Sequence, residues 1–140
     1  MTVQTTFTSQ NSTSTQVQNP VVLFLDDNQV VTTIVKHLLK KLHYSYIHCQ
    51  NGWAGLQAFH SYRNTIQLII TDFKMPEMKG DEFAKKVREE VGNEPIPIVC
   101  VTSEDSSQIK DPSVFTQVIP KPHTLDKLRT ILQTYIGLQK

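Results

Sequence analysis

Five side chains able to do ionic or hydroxyl chemistry stand at the ends of apolar runs. Asp26 and Asp27 follow the run 21–25, Asp72 ends the run 66–71, Thr102 follows 96–101, and Lys121 comes just after 117–119. If the fold gathers them, three carboxylates meet, and at 4 Å and an effective dielectric of 20 one such pair costs about 4 kcal/mol. A proton, a metal or a lysine has to offset that repulsion. Oxygen-only donors suit a hard divalent cation, and Mg²⁺ takes one or two carboxylates, keeps several waters and accepts phosphate oxygens. No His or Cys cluster accompanies these positions, so zinc fits poorly. With such a cation in place a carboxylate can attack phosphorus and give an aspartyl phosphate. In-line phosphoryl transfer needs little beyond positioning and charge neutralisation. Asp72, alone at its strand end and followed by a loop, is the candidate nucleophile, and the adjacent Asp26 and Asp27 are the candidate metal pair. Lys121 would supply fixed positive charge, and the Thr102 hydroxyl could donate to a phosphoryl oxygen.

Each residue also has a bland reading when taken alone. Adjacent aspartates before a helix act as N-terminal caps that complement its dipole. A lone Asp after a strand is commonly a turn residue, Val-Thr ends many strands, and a Lys between prolines is commonly surface loop. Only their joint placement at one edge makes those readings unattractive.

The elements that must place them alternate in type. The apolar run 21–25 has the length and continuity of a buried parallel strand. Val31, Ile34, Val35, Leu38, Leu39 and Leu42 then recur at helical spacing. A short strand is expected over 45–49, and after the Asn51-Gly52 turn signal a helix over 53–61 with Leu56 and Phe59 inward. Trp53 is read as a core or helix-start residue. The run 66–71 is a third strand, Met75-Pro76 marks a loop, and 80–91 is an amphipathic helix with Phe83, Ala84 and Val87 on one side. Residues 96–101 and 117–119 give two more strands. Thr124 is a plausible cap for a last helix with the stripe Leu125, Leu128, Leu132, Tyr135 and Ile136. Such alternation implies an α/β fold with a parallel sheet and right-handed crossovers. In open sheets of that kind functional groups gather beyond the carboxyl ends of the strands, where these five residues stand.

The 140 residues match about one domain. The 14 basic and 13 acidic residues leave a formal charge of +1, without the basic excess of a general nucleic-acid binder. No apolar run approaches the ~20 residues of a membrane span, and no secretory signal is visible. Cys49 and Cys100 are too few for a disulfide framework and are expected to be buried packing residues. Residues 1–19 are nearly all Thr, Ser, Gln and Asn and lack charge. They are expected to form a disordered tail, leaving 20–140 as the folded domain. A cytoplasmic location, with neither nucleic acid nor membrane as partner, is the expectation.

The runs 21–28 (VVLFLDDN), 69–80 (IITDFKMPEMKG), 98–103 (IVCVTS) and 119–122 (IPKP) resemble, in that order, the receiver domain of two-component response regulators. The resemblance covers about residues 20–137. It implies a flavodoxin-like, five-stranded parallel sheet of order 2-1-3-4-5 flanked by helices. It implies that Asp72 accepts a phosphoryl group from a histidine kinase or a histidine phosphotransfer protein. It implies Mg²⁺ (or Mn²⁺) held by Asp26, Asp27, Asp72 and the Lys74 backbone carbonyl, and Thr102 and Lys121 as phosphoryl-binding and switch residues. The Lys121–Pro122 bond is typically cis in such domains.

Departures from the family pattern are informative. Val118 stands where the family often has a switch aromatic, and Phe115 would face the other way in a regular strand. The stretch 103–117 is short and contains Pro112, so the fourth helix is expected to be short or missing, which puts the usual output face in doubt. His123 follows Pro122 where an apolar aromatic is common, and is expected to be surface or loop packing. The other histidines, His37, His43, His48 and His60, show no ligand spacing. Lys74 and Glu104 occupy variable positions flanking the phosphoacceptor and are candidates for tuning, paired across its mouth.

The expectation is a stand-alone receiver, monomeric or a weak dimer. It would signal to an unknown downstream protein by altered binding or by passing its phosphoryl group onward. The rival is a phosphorylation-independent interaction module of the same fold. A turnover enzyme is not expected: aspartate-dependent phosphatases carry a second carboxylate two residues after the nucleophile, and Lys74 stands there.

Overall fold

The computed structural model describes residues 13–15 and 19–137. In chain order it contains β1 (Thr13–Thr15), β2 (Val22–Leu25), α1 (Gln29–Lys41), β3 (Tyr46–Cys49), α2 (Gly52–Ser61), β4 (Leu68–Thr71) and α3 (Gly80–Val91). β5 (Ile98–Thr102), β6 (Gln117–Pro120) and α4 (Leu125–Tyr135) follow. The sheet order is β1-β3-β2-β4-β5-β6. The five strands β3-β2-β4-β5-β6 are parallel, which is the expected 2-1-3-4-5 order.

Why these runs read as apolar without alternation is visible in the packing. Successive strand residues point to opposite faces, and both faces are covered. Leu23, Leu25, Ile69, Ile98 and Cys100 meet Phe59 of α2 and Phe83 and Val87 of α3. Val22, Phe24, Leu68, Ile70, Val99 and Val101 meet Val35 and Leu39 of α1 and Leu128, Ile131 and Leu132 of α4. Both cysteines are buried. Trp53 is the second residue of α2 and is exposed rather than part of the core. The helices start where short polar side chains accept backbone N–H groups: Asn28 from Val31, Asn51 from Ala54, and Thr124 from Lys127.

Two expectations need correction. The segment 1–19 was expected to be wholly disordered, yet its residues 13–15 form β1, antiparallel to β3 with Thr13 opposite Cys49 and Thr15 opposite Ile47. A sheet edge offers unpaired backbone groups that any extended segment can satisfy, and threonine suits an extended chain. The stabilisation comes from backbone pairing, which composition does not register. The rest of the expected tail, 1–12 and 16–18, lies outside the described residues. Second, Phe115 does not face away from Val118. β6 begins only at Gln117, and Phe115 closes a 3₁₀ turn and is buried in the cluster against which Val118 packs.

The expected short or missing fourth helix is borne out. Between β5 and β6 stand two 3₁₀ turns, Ser106–Gln108 and Pro112–Val114. Asp105 and Asp111 turn their carboxylates onto the N–H groups of Ser107 and Ser113, local bonds that compete with helix. The segment is plugged by Ile109, Val114 and Phe115 and clamped by Arg88, whose guanidinium donates to the carbonyls of Val114 (3.1 Å) and Ile96.

One glycine brings α3 onto the loop after β4. A Cβ at Gly80 would sit 2.3 Å from the Asp72 carbonyl oxygen and 2.9 Å from the Phe73 Cα, and the Gly80 N–H donates to Phe73 O at 2.7 Å. Elsewhere in a helix Gly→Ala gains up to about 1 kcal/mol. Here Gly80→Ala is expected to cost roughly 1–3 kcal/mol by overpacking. Urea unfolding checks this, and a variant as stable as the parent contradicts it.

Candidate functional site

The carboxyl ends of β2, β4 and β5 lie side by side, with Leu25 paired to Thr71 and Thr71 to Cys100. That register brings Asp26 and Asp72 together as the next residues of adjacent strands. Oxygen atoms of Asp26, Asp27 and Asp72 all lie within 4.8 Å of one another. Asp26 and Asp72 are buried, whereas Asp27 is exposed at the mouth.

Lys121 reaches this cluster from the loop after β6. Its N–H bonds to Thr102 O at 3.0 Å, the following bond to Pro122 is cis, and its side chain is only 17% exposed. The ammonium lies 3.0 Å from Asp26 Oδ2 and 3.1 Å from Asp72 Oδ2, donating a hydrogen bond to the latter. This is not the geometry of a surface loop lysine. Burial pulls the Lys121 pKa down, but the adjacent Asp26 carboxylate, together with Asp72, outweighs it and leaves it raised. Burial raises the Asp26 pKa, helped by the Asp72 charge and opposed by the Asn28 N–H and Lys121.

The remaining lone pairs are specific. Asp26 Oδ1 accepts from the Asn28 N–H at 2.9 Å, and Asp72 Oδ1 from the Phe73 N–H at 2.7 Å. The α1 cap is Asn28, so Asp26 and Asp27 are not the capping pair that the bland reading supposed. Asp26 Oδ2 is buried and makes no aligned hydrogen bond among the described residues, its neighbour being the Lys121 ammonium at 3.0 Å. A hard, partly hydrated divalent cation fits this donor set: three carboxylates, all oxygen, with more acceptor capacity than one ammonium fills. Cys100 is close by, but burial pushes its thiol up to about 12, so it stays protonated and offers no soft ligand.

The other candidates fall around the cluster. Thr102 is buried, and its Oγ1 accepts from the Glu104 N–H at 3.1 Å, closing the turn after β5. Lys74 Nζ and Glu104 Oε2 stand 3.9 Å apart, a loose pair between an exposed lysine and a half-buried glutamate. Val118 is half-buried. His123 packs from the loop, one of the two expected roles: its ring meets Phe24 edge-on at 5.8 Å.

Two residues were missed by sequence reasoning. His48 is buried, and its Nε2 lies 2.9 Å from the Asp26 carbonyl oxygen. Thr32 Oγ1 donates to the same carbonyl at 3.3 Å. The available signal was a histidine in the otherwise apolar strand 46–49, which a ligand-spacing criterion passes over.

A family model for the response regulator receiver domain matches residues 22–133. The chain belongs to that family. Among its relatives, a rice two-component response regulator, ORR3 of Oryza sativa subsp. indica, is 37% identical over 87 residues, covering 62% of this chain and 66% of that protein. The sensor histidine kinase CheAY of Helicobacter pylori is 29% identical over 122 residues, 85% of this chain and 15% of the kinase. The chain thus spans just under two thirds of the rice relative and a small part of the kinase. The chemotaxis protein CheY4 of Vibrio cholerae has a solved structure that superposes with a TM-score of 0.74 at 28% identity, covering 85% of this receiver and 100% of that chain. The receiver domain of the Pseudomonas aeruginosa sensor kinase PA1611, described with a magnesium ion coordinated in its active-site cleft, superposes at 0.67 with 24% identity, covering 83% and 96%. No helix among the described residues of this receiver domain is long and apolar enough to cross a membrane.

A pH dependence follows from the imidazole beside the lysine loop. Burial, then the Lys121 charge, lowers the His123 pKa from 6.5 to about 4. A depressed folded-state pKa contributes stability that is complete above the unfolded value and lost as pH falls from 6.5 through about 4. His123→Phe keeps the edge-on packing without the titration. Its stability loss between pH 7 and pH 5, by urea unfolding, is expected to be smaller than the parent's by about 1 kcal/mol, a figure reduced for the ring's partial exposure. An identical pH slope in the two proteins contradicts this.

Proposed function

We propose that this receiver domain accepts a phosphoryl group on Asp72 from a histidine kinase or histidine phosphotransfer protein, in a reaction dependent on Mg²⁺ or Mn²⁺. The observation that carries the reading is the convergence of Asp26, Asp27 and Asp72 within 4.8 Å of one another, with the Lys121 ammonium on Asp26 and Asp72. Asp26, Asp27, Asp72 and the Lys74 backbone carbonyl would hold the cation. When bound, it would neutralise the carboxylates and polarise the phosphoryl oxygens.

The residues of the chain then have separate tasks. A carboxylate oxygen of Asp72 attacks phosphorus as the P–N bond to the donor imidazole breaks, and the imidazole leaves carrying its electron pair. Asp72 Oδ1 is held by the Phe73 N–H, which leaves Oδ2, now on Lys121, as the more accessible nucleophile. Lys121 transfers its hydrogen bond to a phosphoryl oxygen. Thr102 exchanges the Glu104 N–H contact for the same group, drawing the segment after β5 inward and shifting a two-state equilibrium. The output is altered binding of another protein or onward transfer to a histidine, in the cytoplasm. The chain acts as a phosphoacceptor that loses its own phosphoryl group to water, not as a turnover enzyme, since Lys74 replaces the acid/base carboxylate such an enzyme needs. The intact acidic set disfavours a module that works without phosphorylation.

Incubation with acetyl phosphate and Mg²⁺ is expected to add one phosphoryl group by intact mass, absent in Asp72→Asn and without Mg²⁺. An unmodified parent under these conditions overturns the proposal. The Lys74–Glu104 pair lies beside Asp72 and would slow attack by water. Lys74→Ala and Glu104→Ala are each expected to shorten the phosphorylated half-life several-fold, and half-lives equal to the parent's would sink that assignment.

A further inference from the structure

Asp26 is completely buried, so its backbone carbonyl must find a donor inside the protein. The parallel ladder supplies one for its N–H, which bonds to Cys49 O at 3.2 Å. The next rung would take the N–H of residue 51, but β3 has ended and Asn51 already caps α2. Two side chains close the gap. His48 Nε2 approaches the carbonyl at 2.9 Å from β3, and Thr32 Oγ1 at 3.3 Å from α1. A carbonyl only accepts, so the ring is the Nε2–H tautomer. The Thr32 hydroxyl lies 3.2 Å from the same nitrogen, and Phe24 backs the ring at 5.4 Å between centroids.

We infer that His48, supported by Thr32, is a positioning residue for metal binding: by fixing the Asp26 peptide it aims the Asp26 carboxylate into the cluster. The inference rests on the divalent-cation reading above. Without the two donors the peptide between Asp26 and Asp27 loses its side-chain anchors, and the Asp26 carboxylate is aimed less tightly. Partners that orient ligands typically govern metal affinity by 10–100-fold. The role is distinct from packing. A leucine fills much of the same space against Phe24 but offers no N–H, whereas a glutamine amide restores a donor.

The test is Mn²⁺ binding to the full chain, read from the electron paramagnetic resonance of the free ion, with Mg²⁺ as competitor. His48→Leu is expected to raise the Mn²⁺ Kd about tenfold or more, and His48→Gln to stay within about threefold of the parent. Equal affinity of His48→Leu and the parent overturns the inference, and so does equal weakening in Leu and Gln variants, which would indicate packing alone. If His48→Leu does not fold, Thr32→Val against Thr32→Ser takes its place: several-fold weakening in Val only is expected, and equality overturns. A parent that binds no Mn²⁺ refutes the metal reading itself, whereas a parent that binds beside an unaffected His48→Leu refutes this inference alone.

Discussion

One lysine ammonium set between two carboxylates that are almost out of water organises the functional end of this receiver domain. Lys121 touches Asp26 and Asp72 at 3.0 and 3.1 Å, and each partner makes the burial of the others tolerable. A buried carboxylate without a counter-charge costs several kcal/mol or takes up a proton. The balance is deliberately short: three carboxylates against one ammonium leave two negative charges when all are ionised. A divalent cation matches that remainder, and a phosphoryl group on Asp72 would in turn find a cation and an ammonium waiting. The site is therefore poised by charge arithmetic before any partner arrives.

The backbone makes such crowding possible. Adjacent parallel strands end in register, so their next residues emerge about one strand spacing apart (~4.8 Å). The loop after β4 is held by the buried side chains of Phe73, Met75 and Met78 and by the close approach of Gly80 to the Asp72 carbonyl. On the other flank the ladder runs out one rung early, and His48 and Thr32 take over from backbone donors. Rigid side-chain support is what lets carboxylates of like charge be held at fixed separations instead of drifting apart.

The opposite side of the site is built with less regular structure. Where a fourth helix would transmit rearrangement along its axis, this chain has two 3₁₀ turns, the second tied to α3 by Arg88. They are held by local Asp–backbone bonds, so motion of Thr102 would pass into a loop rather than into a helix.

The alternation of strands and helices, the five polar residues at the strand ends and the loss of the fourth helix were legible in the chain alone, because apolar periodicity, the Thr124 cap and Pro112 act locally. The sequence also singled out Asp26, Asp27, Asp72 and Lys121, since each stands at the end of a run whose direction the parallel fold sets. Tertiary structure alone decided the rest. Only strand register placed Lys121 between Asp26 and Asp72, ninety-five and forty-nine positions away in the chain. Only the early end of β3 gave His48 a carbonyl to hold, only a free sheet edge turned Thr13–Thr15 into β1, and only the late start of β6 brought Phe115 and Val118 to one face. Each depends on where a second segment stops or starts, and hydrogen-bond partners distant in sequence leave no periodic trace in either segment.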